Sequence, residues 1–358
     1  MTTTLPRPHT RFGTEQPHFA AHPVEADTGS RADVRLLVAG DDTLRHAAFP
    51  DLVDALDPGD VLVVNTSATV PGEADAIWYG SGGGRPVVAH LAAAPGPREW
   101  IVELRTVPNA AHPILDAAPG DLIELPELPA AVRLTAPYPE LASPTGTGNR
   151  IWSASIGDDL RRGLDTRGRP IAYGYLDRRW PLAAYQTVFG RVPGSAEMAS
   201  AGRPFTAEIV LSLLARGIQF APVVLHTAFS SQEAGEPPLP EWFELPAHSA
   251  RVINQARAAG RRIIAVGTTA TRATESAVTG DTVQPRSGWT TRVITPQDPP
   301  RVIDGLLTGW HNADASHLLL VEAVAGPDLT QRAYDAALAA GYAWHEFGDS
   351  CLLLPPRR

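Results

Sequence analysis

Apolar positions along residues 49–156 fall in short runs broken by glycine and proline, whereas beyond residue 157 they recur at helical spacing between apolar strands. The stretch "FPDLVDALDPGDVLVVNTSATVPG" (49–72) predicts a short helix, a Pro-Gly turn and a buried strand. A matching turn recurs in "AAPGDLIELPELPAAVRLTAP" (117–137), and "RPVVAHLAAA", "REWIVELRTV" and "NRIWSASI" are short apolar or alternating runs. This spacing predicts a small antiparallel β-barrel or sandwich over 72–156, with "GSGGGR" (80–85) as a hairpin turn.

The second pattern repeats three times. "TAEIVLSLLARGIQFAPVVLH" reads as a helix capped by Thr206 and closed by Gly217, then a strand ending at His226. "AHSARVINQARAAGRRIIAVGTT" and "DLTQRAYDAALAAGYAWHEFGDSCLLL" follow the same order, with Gly260 and Gly341 as helix stops. Alternating helices and apolar strands predict an α/β fold with a mixed, largely parallel sheet flanked by helices. The expected organisation is a discontinuous α/β domain, 1–71 and 157–358, interrupted by an inserted β-barrel-like domain, 72–156. The proline-rich segment 232–246 is expected to be an irregular loop, and the N-terminal residues a frayed leader.

Composition narrows the chemistry. All 30 basic residues are arginine and the net charge is −9. Without lysine, Schiff-base and P-loop mechanisms are excluded. The acidic balance weighs against a broad nucleic-acid-binding face, although it leaves room for a local basic patch. The single Cys351 fits a reducing cytoplasm, and no apolar run reaches the ~20 residues of a membrane span. CxxC, HExxH and GxSxG are absent, so neither a metal centre nor a serine hydrolase is expected.

The candidate chemistry sits at strand ends, where α/β sheets bind ligands. In "IIAVGTTATRATES" (263–276) an apolar strand stops at Gly267, which permits a sharp turn and close ligand approach. Thr268 or Thr269 can cap the following helix, and Arg272 offers a planar fork for a carboxylate. The same residues also read as a plain cap followed by a surface Arg272–Glu275 pair. "VVLHTAFSS", "LLTGWHNADASHLLLVEA" and "WHEFGDS" each carry a histidine beside an apolar run, and the last adds Asp349.

These segments resemble the S-adenosylmethionine:tRNA ribosyltransferase-isomerases of queuosine biosynthesis. Matching stretches run in order from about residue 31 to 354: "RLLV", "PGDVLVVNTSATVP", "AYQTVF…PGSAEMASAGRPFT", "LLARGIQFAPVVLH", "IIAVGTTATRATES", "SGWT", "VIDGLLTGWH" and "GYAWHEFGDS". The resemblance implies an α/β domain with an inserted barrel, S-adenosylmethionine as substrate, tRNA as acceptor and no metal. It implies that the methionine carboxylate lies against Gly267, Thr268, Thr269 and Arg272, and that adenine stacks on Trp289, Trp310 or Phe205. Asn65 and Glu241 join the substrate-binding candidates. His226, His311, Asp349 and Glu275 are the candidates for acid–base or orienting roles.

The chain also departs from the family's motifs. Ala68 and Glu73 stand where the family has arginines, Pro204 where it has a histidine, and Leu239 replaces another histidine. Arg203 is new, and the glycines after His226 are lost. Glu73 is expected to repel phosphate. Two further readings therefore accompany the family reaction: an S-adenosylmethionine-using enzyme with a small-molecule acceptor, and a non-catalytic S-adenosylmethionine-binding protein.

Overall fold

The computed structural model describes residues 5–13, 16–93, 99–128, 130–139, 148–156, 160–229, 235–313 and 315–356. The described residues build a mixed nine-stranded sheet. Its order is Arg286–Thr290, Glu241–Leu245, Gln219–His226, Val61–Asn65, Ile263–Val266, Gly305–Thr308, Ser350–Leu354, Arg35–Gly40 and Leu44–Ala48. The four strands from Gln219–His226 to Gly305–Thr308 are mutually parallel, and antiparallel pairs close both edges.

The central strands read as unbroken apolar runs because both faces are covered. Val61, Val63, Ile263 and Ala265 pack on one side against the helices Ala247–Ala258, Thr268–Ser276, Ser316–Ala325 and Pro327–Ala339. Leu62, Val64, Ile264 and Val266 point the other way, onto Phe49, Leu52 and the Ala207–Ala215 helix. This two-sided burial is the signature of a parallel sheet core. As expected, Thr206 caps the Ala207–Ala215 helix by accepting from the Ile209 amide at 3.3 Å.

Between the first two central strands in sequence the chain forms a closed six-stranded antiparallel barrel, from Glu73–Gly80 to Ile151–Ile156. Gly80 pairs with Gly83 across the hairpin foreseen there, and Gly83 takes φ +89°. The packed barrel extends beyond residue 156, because Leu160 and Leu164 of the following helix, Leu160–Arg167, are buried in its core.

Three expectations change. Segment 232–246 is not wholly irregular: residues 230–234 lie outside the described residues, but Glu241–Leu245 is a strand held between two others. The described N-terminal residues, 5–13 and 16–19, are not a frayed leader. Phe12 packs on Tyr334 and Trp344, Thr10 donates to the buried Glu322, and His18–Phe19 pairs in parallel with Ala343–Trp344. Nor does Glu73 face outward to meet phosphate. It is 1% exposed, lies against His90, Arg169 and Arg179, and accepts from the Ala172 amide. Among the described residues no helix is long and apolar enough to cross a membrane.

Candidate active site

The carboxyl ends of Gln219–His226, Val61–Asn65, Ile263–Val266 and Gly305–Thr308 lie side by side in that order, and the antiparallel Ser350–Leu354 strand begins at the same edge. The loops leaving that edge border a cleft of about 630 Å³, which is also lined by Arg105, at the end of the Glu99–Arg105 barrel strand, and by Ala111 and His112 after it.

Gly267 adopts φ +92°, a backbone conformation that L-residues with side chains rarely take. It is also the N-cap of the Thr268–Ser276 helix, and no side chain caps that helix. The threonines therefore do not cap, contrary to expectation. Both line the cleft, and the buried Oγ1 of Thr269 has no hydrogen-bond partner among the described residues. Uncapped amides at a helix N-terminus favour an anion.

Arg272 borders the same cleft but is 4% exposed and already engaged. It donates to Glu241 Oε2 at 2.5 Å, to the Arg292 carbonyl at 2.9 Å and to the Thr290 carbonyl at 3.1 Å. These bonds use three of its five N–H groups. Glu241 also accepts from the Ala228 amide at 3.0 Å. Burial raises the Glu241 carboxyl above its usual range, against the opposing pull of Arg272 and that amide.

His311 lies in the cleft, 3.0 Å from Thr308 Oγ1, and its ring stacks on His317 at 5.0 Å. Burial holds both imidazoles neutral, with His317 pushed down to about 4. Trp310 reaches the cleft, yet its ring is committed to Tyr334, Tyr342 and Trp344.

His226 and Trp289 are brought together elsewhere. They line a second cavity of about 340 Å³ with Trp242 and Arg161, separated from the first by Thr227 and Ala228, which border both. His226 stacks on Trp242 at 5.3 Å, and its Nδ1 lies 2.7 Å from Ser67 Oγ, itself 2.6 Å from Ser195 Oγ. A Cβ on Gly194 would stand 2.5 Å from the His226 ring, so the glycine makes room for the imidazole.

Four candidates line neither cavity, and their contacts explain why. Glu275 accepts from the amides of Arg301, Val302 and Ile303 at 2.9, 2.9 and 3.0 Å, fixing a loop. Asp349 is bound by the Arg35 amide and guanidinium and by the Ala343 amide. Asn65 bridges to both backbone groups of Leu225 and to the Ser67 amide. Phe205 is fully buried against Phe49 and Phe189.

Of one wall of the cleft, sequence reasoning noticed only the histidine of "WHEFGDS", His345, and missed Phe19, Tyr173, Tyr175, Glu197 and Glu346. His345, at φ +71°, stacks on Phe19 at 4.6 Å and on Tyr175 at 4.8 Å. Tyr175 donates to Glu346 Oε2 at 2.7 Å, and Tyr173 donates to Glu197. The usable signal was "WHEFGDS", in which His345 and Glu346 directly precede the Phe347-Gly348-Asp349 run.

A family model described as "Queuosine biosynthesis protein" matches residues 10–353. A Deinococcus radiodurans protein named S-adenosylmethionine:tRNA ribosyltransferase-isomerase is 34% identical, covering 92% of this chain and 91% of its own. One of the same name from Acaryochloris marina is 32% identical, over 90% and 87% respectively. The crystal structure of S-adenosylmethionine tRNA ribosyltransferase from Thermotoga maritima shares 25% identity with a TM-score of 0.50, covering 94% of this chain and 96% of that one. The chain thus belongs to the S-adenosylmethionine:tRNA ribosyltransferase-isomerase family of queuosine biosynthesis.

Proposed function

We propose that the protein is a transferase-isomerase that moves the ribosyl unit of S-adenosylmethionine onto the aminomethyl group of a 7-deazaguanine base in tRNA. The observation that carries this reading is the uncapped tip of the Thr268–Ser276 helix, with the unpartnered Thr269 hydroxyl, opening on a cleft large enough for a nucleoside.

The amino-acid carboxylate of S-adenosylmethionine is placed at that tip, with Arg272 behind it. The positive sulfur acidifies the adjacent C5′ protons of the ribose. A neutral imidazole, His311 or His317, can accept one of them because burial keeps both rings unprotonated at neutral pH. The resulting electron pair opens the ribose ring, adenine departs, and the acceptor amine then adds with loss of methionine. S-adenosylmethionine is consumed as a substrate, and no metal takes part. The acceptor enters from the side of the second cavity, where Trp242 and Trp289 offer flat rings to a base.

Incubating the protein with S-adenosylmethionine, with and without tRNA bearing the aminomethyl-deazaguanine base, and measuring adenine and methionine tests the reading. Release that requires the tRNA supports it. Tight binding with no release under any condition would reduce the protein to a binder, and release that requires a small amine in place of tRNA would reassign the acceptor.

A further inference from the structure

One wall of the cleft holds two carboxyl groups that no other part of the reaction uses. Glu346 is half-buried there, and its Oε2 accepts the Tyr175 hydroxyl at 2.7 Å. Glu197 lines the same wall and accepts the hydroxyl of Tyr173, whose ring stacks 6.3 Å from that of Tyr175. The two tyrosines thus hold two carboxyl groups in adjacent positions facing one volume.

Two neighbouring carboxylates that share a half-buried wall repel each other, which favours a proton on one of them. Burial, and then the charge of Glu197, push Glu346 up to about 8; the Tyr175 hydroxyl and the more distant His90 and Arg203 oppose this without cancelling it. His345, stacked beside Tyr175, is held neutral by burial; on the Glu197 side of the pair Arg105 brings a positive charge, its guanidinium 4.9 Å from the Tyr173 ring, and Glu241 a further carboxyl. The cleft therefore presents a carboxylic acid at neutral pH.

We propose that Glu346 is the catalytic acid that protonates adenine as it leaves, and that Glu197 is the positioning residue that keeps that proton on Glu346. The inference rests on the function proposed above and names the group that its bond-breaking step lacks. A base removes the C5′ proton, and the electron pair left behind forms a C4′=C5′ double bond as C4′–O4′ breaks. The O4′ pair forms a carbonyl at C1′ as C1′–N9 breaks. Adenine leaves with the N9 pair and takes the proton from Glu346, which becomes a carboxylate. One proton is removed from carbon and one delivered to nitrogen, so the step balances without an oxidant or further reactant.

The test is adenine release from S-adenosylmethionine and acceptor tRNA by wild type, Glu346→Gln, Glu346→Asp and Glu197→Gln. Glutamine keeps an oxygen for the Tyr175 hydroxyl but carries no acidic proton. Its kcat should fall about 100-fold or more, the usual contribution of a general acid, with the KM for S-adenosylmethionine changed by less than about threefold. Glu346→Asp should recover part of the loss. An S-adenosylmethionine analogue carrying 8-azaadenine, a better leaving purine, should narrow the gap between wild type and Glu346→Gln. The wild-type rate should decline as pH rises through about 8, and Glu197→Gln should move that limb to lower pH, because the like charge that raises Glu346 is gone. The wild-type limb needs no variant and is read even if a substitution prevents folding. Wild-type turnover by a folded Glu346→Gln, or a wild-type profile flat through this range, overturns the inference and leaves the proposed function standing. A wild type that releases no adenine overturns both.

Discussion

The guanidinium of Arg272 and the carboxylate of Glu241 meet at 2.5 Å, joining the helix beside the cleft to a strand near the edge of the sheet. Both are largely withdrawn from water, and the same guanidinium ties down the carbonyls of Thr290 and Arg292. Removing one partner of such a pair leaves a desolvated charge, at a cost of about 3–5 kcal/mol. Arg272→Ala should therefore lower unfolding stability by that amount in a denaturant titration, as well as weaken S-adenosylmethionine binding. Arg272→Lys should recover little, since a lysine cannot reach three acceptors in the same fork. A variant as stable as wild type would show that the pair does not hold the loop.

Glu275 separates structural from chemical roles. Its two oxygens take three loop amides, so Glu275→Ala leaves Arg301, Val302 and Ile303 short of acceptors. The expected loss is about 3 kcal/mol of stability. The dissociation constant for S-adenosylmethionine of the folded variant, measured calorimetrically at low temperature, should match wild type. A tenfold weakening would return Glu275 to the ligand site.

The barrel stores a pH dependence of its own. Fully buried His90 lies 3.3 Å from Glu73 and 3.4 Å from Glu103, and Glu103 is also held by Arg105 and Arg150. Burial opposes charge on His90, but Glu103 and Glu73 outweigh it and raise its pKa. Burial likewise opposes charge on Glu103, but Arg150, Arg105 and His90 hold it well below the carboxylate range, and Glu73 is lowered too. The histidine's contribution is therefore complete below its unfolded value of 6.5 and fades as pH rises through its higher folded value. The carboxylates contribute fully above 4.5 and lose their share as pH falls below it. Stability against urea should thus decline on both sides of that window. His90→Gln should flatten the alkaline side, and Glu103→Gln the acid side; unchanged limbs in both variants would show that other groups set the profile.

Phe19 is the long-range prediction. Its ring stacks on His345 and Tyr175 in the wall that carries Glu346. Aromatic pairs contribute about 0.5–1.5 kcal/mol beyond burial, so Phe19→Ala should weaken S-adenosylmethionine binding about three- to tenfold. Equal affinity would mean that the wall keeps its shape without the ring.

The fold was legible where a pattern is local. The alternation of helix and apolar strand gave the sheet, and short runs between Gly and Pro gave the barrel, because both periodicities are set by neighbours in sequence. The Gly267 turn was legible for the same reason. What local pattern could not reveal was partner choice across the chain. Asp349 follows Gly348 in a motif that looks chemical, yet Arg35, 314 residues away, occupies its carboxylate. Glu73 looked like a repulsive surface charge because nothing near it in sequence announces His90, Arg169 and Arg179. Tyr173, Tyr175 and Glu346 converge only through tertiary packing, and no spacing rule connects them.

The pairing of His18–Phe19 with Ala343–Trp344 has a consequence for biosynthesis. One panel of the cleft joins Phe19 to His345, from segments far apart in the chain, so a nascent chain has no complete pocket until the later segment has emerged from the ribosome. Ligand can then stabilise only a chain that already contains both segments, and a product terminated before the later one gains no protection from it.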